Sequence, residues 1–202
     1  MTITEDRYRM LLGASSALAD QPTVKAVLQS LRGVLSSTSR LHGAELYVLS
    51  DDGESLSSFE FDRDPDAPAI KRGAKLLLTG LVAQVLDEQK PAFVPDLSQA
   101  MLEHPDLAPF AAEVAGRSSY LFPVSTAQKR YGILSTPKLQ GQQFAPEDVE
   151  MLSALASHVA VALECALARD TVERYHREVV KQRDRLSLLL EINNHIVNKL
   201  EA

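Results

Sequence analysis

The 202 residues predict an α+β fold, an antiparallel sheet flanked by helices with a long C-terminal helix. Three observations carry that reading. Apolar residues recur at helical spacing near both ends of the chain. The period falls to two between Ala44 and Phe61 and again between Tyr120 and Ser135, and neither glycine nor proline occurs after Pro146.

At the N-terminus Tyr8, Leu11, Leu12 and Leu18 line one helical face, and Val24, Val27, Leu28, Leu31, Val34 and Leu35 line a second. Pro22 stands where a first-turn proline would start the second helix, since its missing N–H is one that has no partner there anyway. Leu46 and Val48 then alternate with Tyr47 and Leu49, and Asp51-Asp52-Gly53 separates them from Leu56, Phe59 and Phe61: a strand, a tight glycine turn and a second strand. Arg63 to Lys75, punctuated by Pro65, Pro68 and Gly73, reads as a loop or irregular strand.

Leu81, Val82, Val85 and Leu86 predict a short helix that ends before Pro91, and Ala92-Phe93-Val94 a brief strand stopped by Pro95-Asp96. The polar, proline-punctuated stretch from Leu97 to Gly116 reads as a lid with a helix over residues 108–115. Tyr120 to Val124 and Tyr131 to Ser135 predict a hairpin, with Pro123 implying a bulge or an edge because it has no N–H to give a ladder. Pro146, with Glu147 and Asp148 facing the positive end of the dipole, opens the last helix, and Val149, Leu152, Leu155, Val159 and Leu163 continue it. Ala145 precedes it where a side-chain cap is usual.

The composition, 45% hydrophobic and 24% charged, is that of a globular chain. A formal net charge of −6 offers no general attraction for phosphate backbones, so direct nucleic-acid contact is not expected. No basic-then-apolar leader and no uninterrupted apolar run of about 20 residues is visible, which predicts a cytoplasmic chain without a membrane span. The single cysteine, Cys165, sits among Ala162, Leu163, Ala166 and Leu167 as a small apolar residue packing in the core or the seam, the alternative being a redox or chromophore-attachment role.

Four ordered motifs resemble the GAF domain family. They are Gly80 to Leu86 followed by Lys90-Pro91-Ala92-Phe93-Val94-Pro95-Asp96; Ser119-Tyr120-Leu121-Phe122-Pro123-Val124; Tyr131-Gly132-Ile133-Leu134; and Phe144 to Leu152 running on through Ala162-Leu163-Glu164-Cys165-Ala166. The resemblance implies a GAF-like, PAS-related sensory domain over residues 1–168, including the N-terminal helices. Residues 169–202 then form a helical or coiled-coil stalk leading towards a second domain. Asp184 to Val197 is similar to the helix that opens the second GAF domain of formate-hydrogenlyase-activator-like, sigma-54-dependent transcriptional regulators, which implies the N-terminal sensory part of such a regulator. GAF domains of histidine kinases share such helices, but Asn194-His195-Ile196-Val197 lacks the acidic residue and proline usual after a phosphoacceptor histidine.

In this family a ligand lies between the sheet and the lid-side helices. The resemblance maps that pocket to Phe93, Leu102, Phe110, Tyr120, Phe122 and Leu134, with Arg117, Ser118 and Ser119 as polar contacts and His104 as a further candidate. Arg117 beside two serines suits a small carboxylate, the alternative being a solvated strand end. The alternative is that these aromatics fill the core. Lys138 follows Pro137, and Phe144 precedes Glu147-Asp148 in the reverse of the family's cyclic-nucleotide order, so cyclic nucleotides are not expected. The five histidines show no metal-ligand spacing, and neither a nucleophile elbow nor a glycine-rich phosphate loop occurs. A reductase of free methionine sulfoxide would need several cysteines where one is present. No enzyme activity and no metal are therefore expected, and the cofactor is left open.

The stalk carries a heptad. Val172, Val179, Leu186 and Asn193 fall seven apart, with Tyr175, Gln182, Leu189 and Ile196 between them, the a and d positions of a coiled coil. Glu178 and Arg183 then occupy positions that pair across a parallel dimer. The expectation is a homodimer through the N- and C-terminal helices; a ligand-free dimerisation module and an intramolecular bundle are the alternatives.

Overall fold

A computed structural model describes residues 3–36, 44–50, 52–61, 71–104, 117–139 and 144–200. Helices α1 (Ile3–Ala19) and α2 (Val24–Ser36) lead into strands β1 (Ala44–Leu49), β2 (Ser55–Phe61) and β3 (Lys71–Leu77). Helix α3 (Gly80–Glu88), strand β4 (Ala92–Val94) and helix α4 (Leu97–Glu103) follow. Strands β5 (Arg117–Ser125) and β6 (Arg130–Leu139) then precede the 55-residue helix α5 (Pro146–Leu200). All strand pairs are antiparallel, in the order β3-β2-β1-β6-β5-β4.

Several local devices set the boundaries. The Thr23 hydroxyl accepts from the Ala26 N–H at 3.2 Å, so Thr23 caps α2, and the helix begins at Val24, two residues after the Pro22 expected to open it. Gly53 adopts φ 72° and donates to the Ser50 carbonyl at 2.9 Å, closing the β1–β2 turn in a conformation that glycine takes without strain. Asp96 accepts from the Ser98 and Gln99 N–H groups at 2.9 and 3.2 Å. It thereby caps α4 inside a segment expected to be irregular, whereas the expected helix over 108–115 lies outside the described residues. The end of the stretch expected to be loop or irregular strand, residues 71–75, belongs to β3 and pairs with β2.

Pro123 is tolerated because β4 stops short of it. The β4–β5 pairing ends at Ala92↔Leu121, which leaves the β4 side of Pro123 without a partner strand, and a register shift follows at Val124/Ser125.

The sheet separates two cores. On one face α1, α2 and α5 cover Leu46, Phe122, Val124 and Leu134, burying Leu31, Leu152, Leu155, Val159 and Leu163. On the other α3 and α4 cover Tyr47, Leu56, Leu121 and Ile133 with Val82, Val85, Leu86 and Leu97. The alternation of Leu46/Val48 against Tyr47/Leu49 is thus realised as expected. An 18-residue window of α5 has mean hydropathy 1.7, enough by length and composition to cross a membrane, but half of that window is buried inside the domain as a core helix would be. Past Thr171 the helix leaves the core, and from Val172 to Leu190 every side chain except Val180 is exposed.

Candidate functional site

On the α3/α4 face the central strands carry a row of polar side chains over an apolar floor. The Tyr47 hydroxyl donates to the Glu45 carboxylate within β1. Ser58 stands opposite Tyr47 on β2, and Ser135 opposite Glu45 on β6. Ser135 in turn lies 3.1 Å, hydroxyl to hydroxyl, from Ser119 of β5. Tyr47, Ser58, Ser119 and Ser135 are all buried. Leu121 and Val94 share this face, since Ala92↔Leu121 and Val94↔Ser119 pair in register. A phenol–carboxylate pair beside a hydroxyl pair can both donate and accept, which suits orientation of a small polar molecule.

The side chains expected to line one pocket divide between the two faces. Ser119 belongs to the α3/α4 face. Ser118, Tyr120, Phe122 and Leu134 point the other way, because side chains alternate along a strand and their partners across the hairpin alternate with them. Phe93 goes with them: its ring is 5.0 Å from that of Tyr120 and 6.2 Å from that of Phe144, and it is 47% exposed at the sheet edge. Leu102 is 84% exposed on α4, and His104 ends that helix with its N–H on the Ala100 carbonyl at 2.7 Å. Arg117 opens β5 with its side chain outside the described residues, as is the whole of Phe110. Among the described residues no three His, Cys, Asp or Glu side chains converge as metal ligands.

The α5 face holds a second polar group that the sequence reading passed over. Buried Lys138 lies 3.7 Å from Asp148 in the first turn of α5, and its ammonium sits 4.2 Å from the Phe144 ring centroid. Phe144 meets Tyr120 edge-on at 4.8 Å, and Tyr120 stacks on Phe122 at 5.5 Å. Ser118 pairs with Lys138 and Tyr120 with Thr136 across the hairpin; the hydroxyls of Ser118 and Thr136 are buried without a hydrogen-bond partner among the described residues. The arrangement ties the start of α5 to the sheet. Nearer the opposite end of the hairpin Tyr131 donates to Glu164 of α5; burial first, and then the Glu164 charge, push its phenol from 10.0 up to about 12.

Signals for part of this arrangement were present in the sequence. Strict parity on β5 and β6 would have assigned Ser119, Leu121, Ile133 and Ser135 to one face and Tyr120, Phe122 and Leu134 to the other. The Tyr47–Glu45 contact depends on the rotamer of a long side chain, which parity does not give.

The family model described as GAF domain matches residues 22–164. A comparison with curated proteins finds no match. Among solved structures, a GAF domain from an Acinetobacter phosphoenolpyruvate-protein phosphotransferase is similar with TM-score 0.65 at 16% identity, over 83% of this chain and 97% of that one. A putative GAF sensor protein from Burkholderia vietnamiensis is similar with TM-score 0.60 at 20% identity, over 84% and 98%. The free methionine-R-sulfoxide reductase of Neisseria meningitidis, in complex with its substrate, has TM-score 0.60 at 18% identity, over 80% and 90%. At these identities the likeness shows a common fold.

Proposed function

The chain belongs to the GAF domain family, and on that premise we propose that it is a non-catalytic, cytoplasmic sensory module that pairs with a second copy through its terminal helices and controls an attached transcriptional activator of the sigma-54-dependent class. The projection of α5 beyond the core carries the reading. Val172, Tyr175, Val179, Leu186 and Leu189 stand exposed along it at heptad spacing. An isolated helix with an apolar seam facing water is marginal, and burying that seam against an identical one removes the cost. Asn193 and Ile196 continue the seam by position, though their side chains lie outside the described residues.

A small-molecule effector would enter on the α3/α4 face, where Tyr47, Glu45, Ser58, Ser119 and Ser135 offer hydrogen bonds. Its effect would reach α5 through the central hairpin: β6 carries Ser135 on one face and Lys138, tied to the start of α5, on the other. A helix pair transmits such a change because its packed registers are discrete states. The similarity of Asp184 to Val197 to the helix that opens the second GAF domain of sigma-54-dependent regulators supports the choice of output. The one cysteine lies on α5, on the opposite side of the sheet from the polar row, which supports a binding role over thiol chemistry at that row.

Sedimentation velocity tests the pairing. The native chain should sediment as a dimer, and the combined Val179→Asp and Leu186→Asp variant as a monomer with unchanged urea unfolding of the domain. A native chain that is monomeric at high micromolar concentration would overturn the proposal.

A further inference from the structure

The seam expected from the sequence begins at Val172, but exposure along α5 shows that the same row starts earlier, on the domain itself. Within the globular part α5 turns Leu152, Leu155, Ala156, Val159, Leu163 and Ala166 into the core. Its outward side carries Val161, 54% exposed, then Cys165 and Ala168, both exposed. The steps from Val161 to Cys165, Ala168, Val172, Tyr175 and Val179 alternate four and three without a break, the spacing of one coiled-coil stripe. On the domain itself Val161, Cys165 and Ala168 are small or β-branched, so two helix backbones can approach closely there.

We infer that the contact between two copies runs over the domain surface as well as the stalk, with Val161, Cys165 and Ala168 forming its first layers in a parallel, in-register pair. This rests on the α5 pairing proposed above and deepens it. Charge complementarity selects the occupant and its direction. In this register Glu164 faces Arg169 of the second copy and Glu178 faces Arg183, while Thr171–His176 and Arg185–Leu190 add no like-charged pair. An antiparallel pair would set Arg169, His176 and Arg183 of one copy among their own counterparts, with like charges opposed. The parallel pair places the two Cys165 side chains opposite each other in one layer.

Because the chain has one cysteine, the native protein carries its own probe. Diamide takes one hydrogen from each of two thiols, forming the S–S bond as its N=N bond is reduced to a hydrazine. That bond forms only where the two Cα atoms come within about 7 Å. A native chain that sediments as a dimer should cross-link through Cys165 at a rate unchanged by dilution, as expected for a pair already in contact, and the product should revert with dithiothreitol. The Val179→Asp, Leu186→Asp monomer should lose this and show only dilution-dependent cross-linking.

If the native dimer cross-links at Cys165 no faster than that monomer, while Cys165→Ala combined with Val179→Cys does cross-link, the extension onto the domain is overturned and the stalk pairing stands. If the native chain sediments as a monomer, both readings fall together.

Discussion

A methyl group placed on Gly132 would stand 1.7 Å from the Tyr47 carbonyl oxygen and 2.8 Å from its carbon, both backbone atoms of the neighbouring strand. Gly132 also adopts φ 151°, a conformation that side chains disfavour. β1 and β6 are the two central strands, so no flexible neighbour can give way. Gly132→Ala is expected to cost at least about 3 kcal/mol in urea unfolding, in the class of large and diagnostic effects. Gly33→Ala is the control: nothing lies within 4 Å of an added methyl there, and Gly33 is exposed within α2. That change should stabilise by about 0.5–1 kcal/mol. Equal effects at the two positions would show that the close approach to Tyr47 is not what requires the glycine.

The burial of Tyr131, and then its contact with Glu164, make a part of the stability depend on alkaline pH. The Tyr131 phenol is raised from 10.0 to about 12 in the fold. A raised folded value means that the contribution is fully present below pH 10 and is lost as pH climbs from 10 to 12, because the unfolded chain then gives up its proton first. Chemical unfolding measured across that window should fall more steeply for the native chain than for Tyr131→Phe. Parallel curves would show that the Tyr131 phenol does not carry this pH dependence.

The sequence carried the architecture where periodicity is strong and local. The opposition of Leu46 to Tyr47, the hairpin from Tyr120 to Ser135 and the unbroken α5 are all present as expected. It was less informative where a single side chain decides. Asp96 starts α4 and Thr23 starts α2 by capping bonds that hydrophobic spacing does not reveal. The candidate pocket mixed both faces because the resemblance located a segment, whereas a strand gives alternate residues to opposite sides. The pairing of Lys138 with Asp148 links β6 to α5 and has no local signature.

The residue that precedes helix α5, Ala145, has no side-chain acceptor. The Asp148 and Val149 N–H groups bond the Ala145 carbonyl at 2.9 and 3.2 Å, so Ala145 occupies the capping position with a methyl group that accepts nothing. Ala145→Ser should add a hydrogen bond to a first-turn N–H and raise stability by about 1 kcal/mol, read from the urea midpoint at constant slope. No gain would mean that the first-turn N–H groups are already satisfied in the native chain.

An effector that acts through this domain should depend on one face of the sheet and not on the other. A thermal-shift screen of small carboxylates, nucleotides and metal ions supplies the probes, since a compound at a hundredfold over its Kd stabilises by about 2.7 kcal/mol. For any compound that raises the melting temperature, Tyr47→Phe and Ser135→Ala should each weaken binding by roughly tenfold, the equivalent of about 1.4 kcal/mol for a lost polar contact. Ser118→Ala, on the α5 face, should leave the affinity unchanged while relieving a buried hydroxyl that has no partner among the described residues. A compound whose binding instead follows Ser118 and Tyr120 would place the site beside Lys138, between the sheet and the start of α5. The effector would then act on that helix directly, without the central hairpin as intermediary.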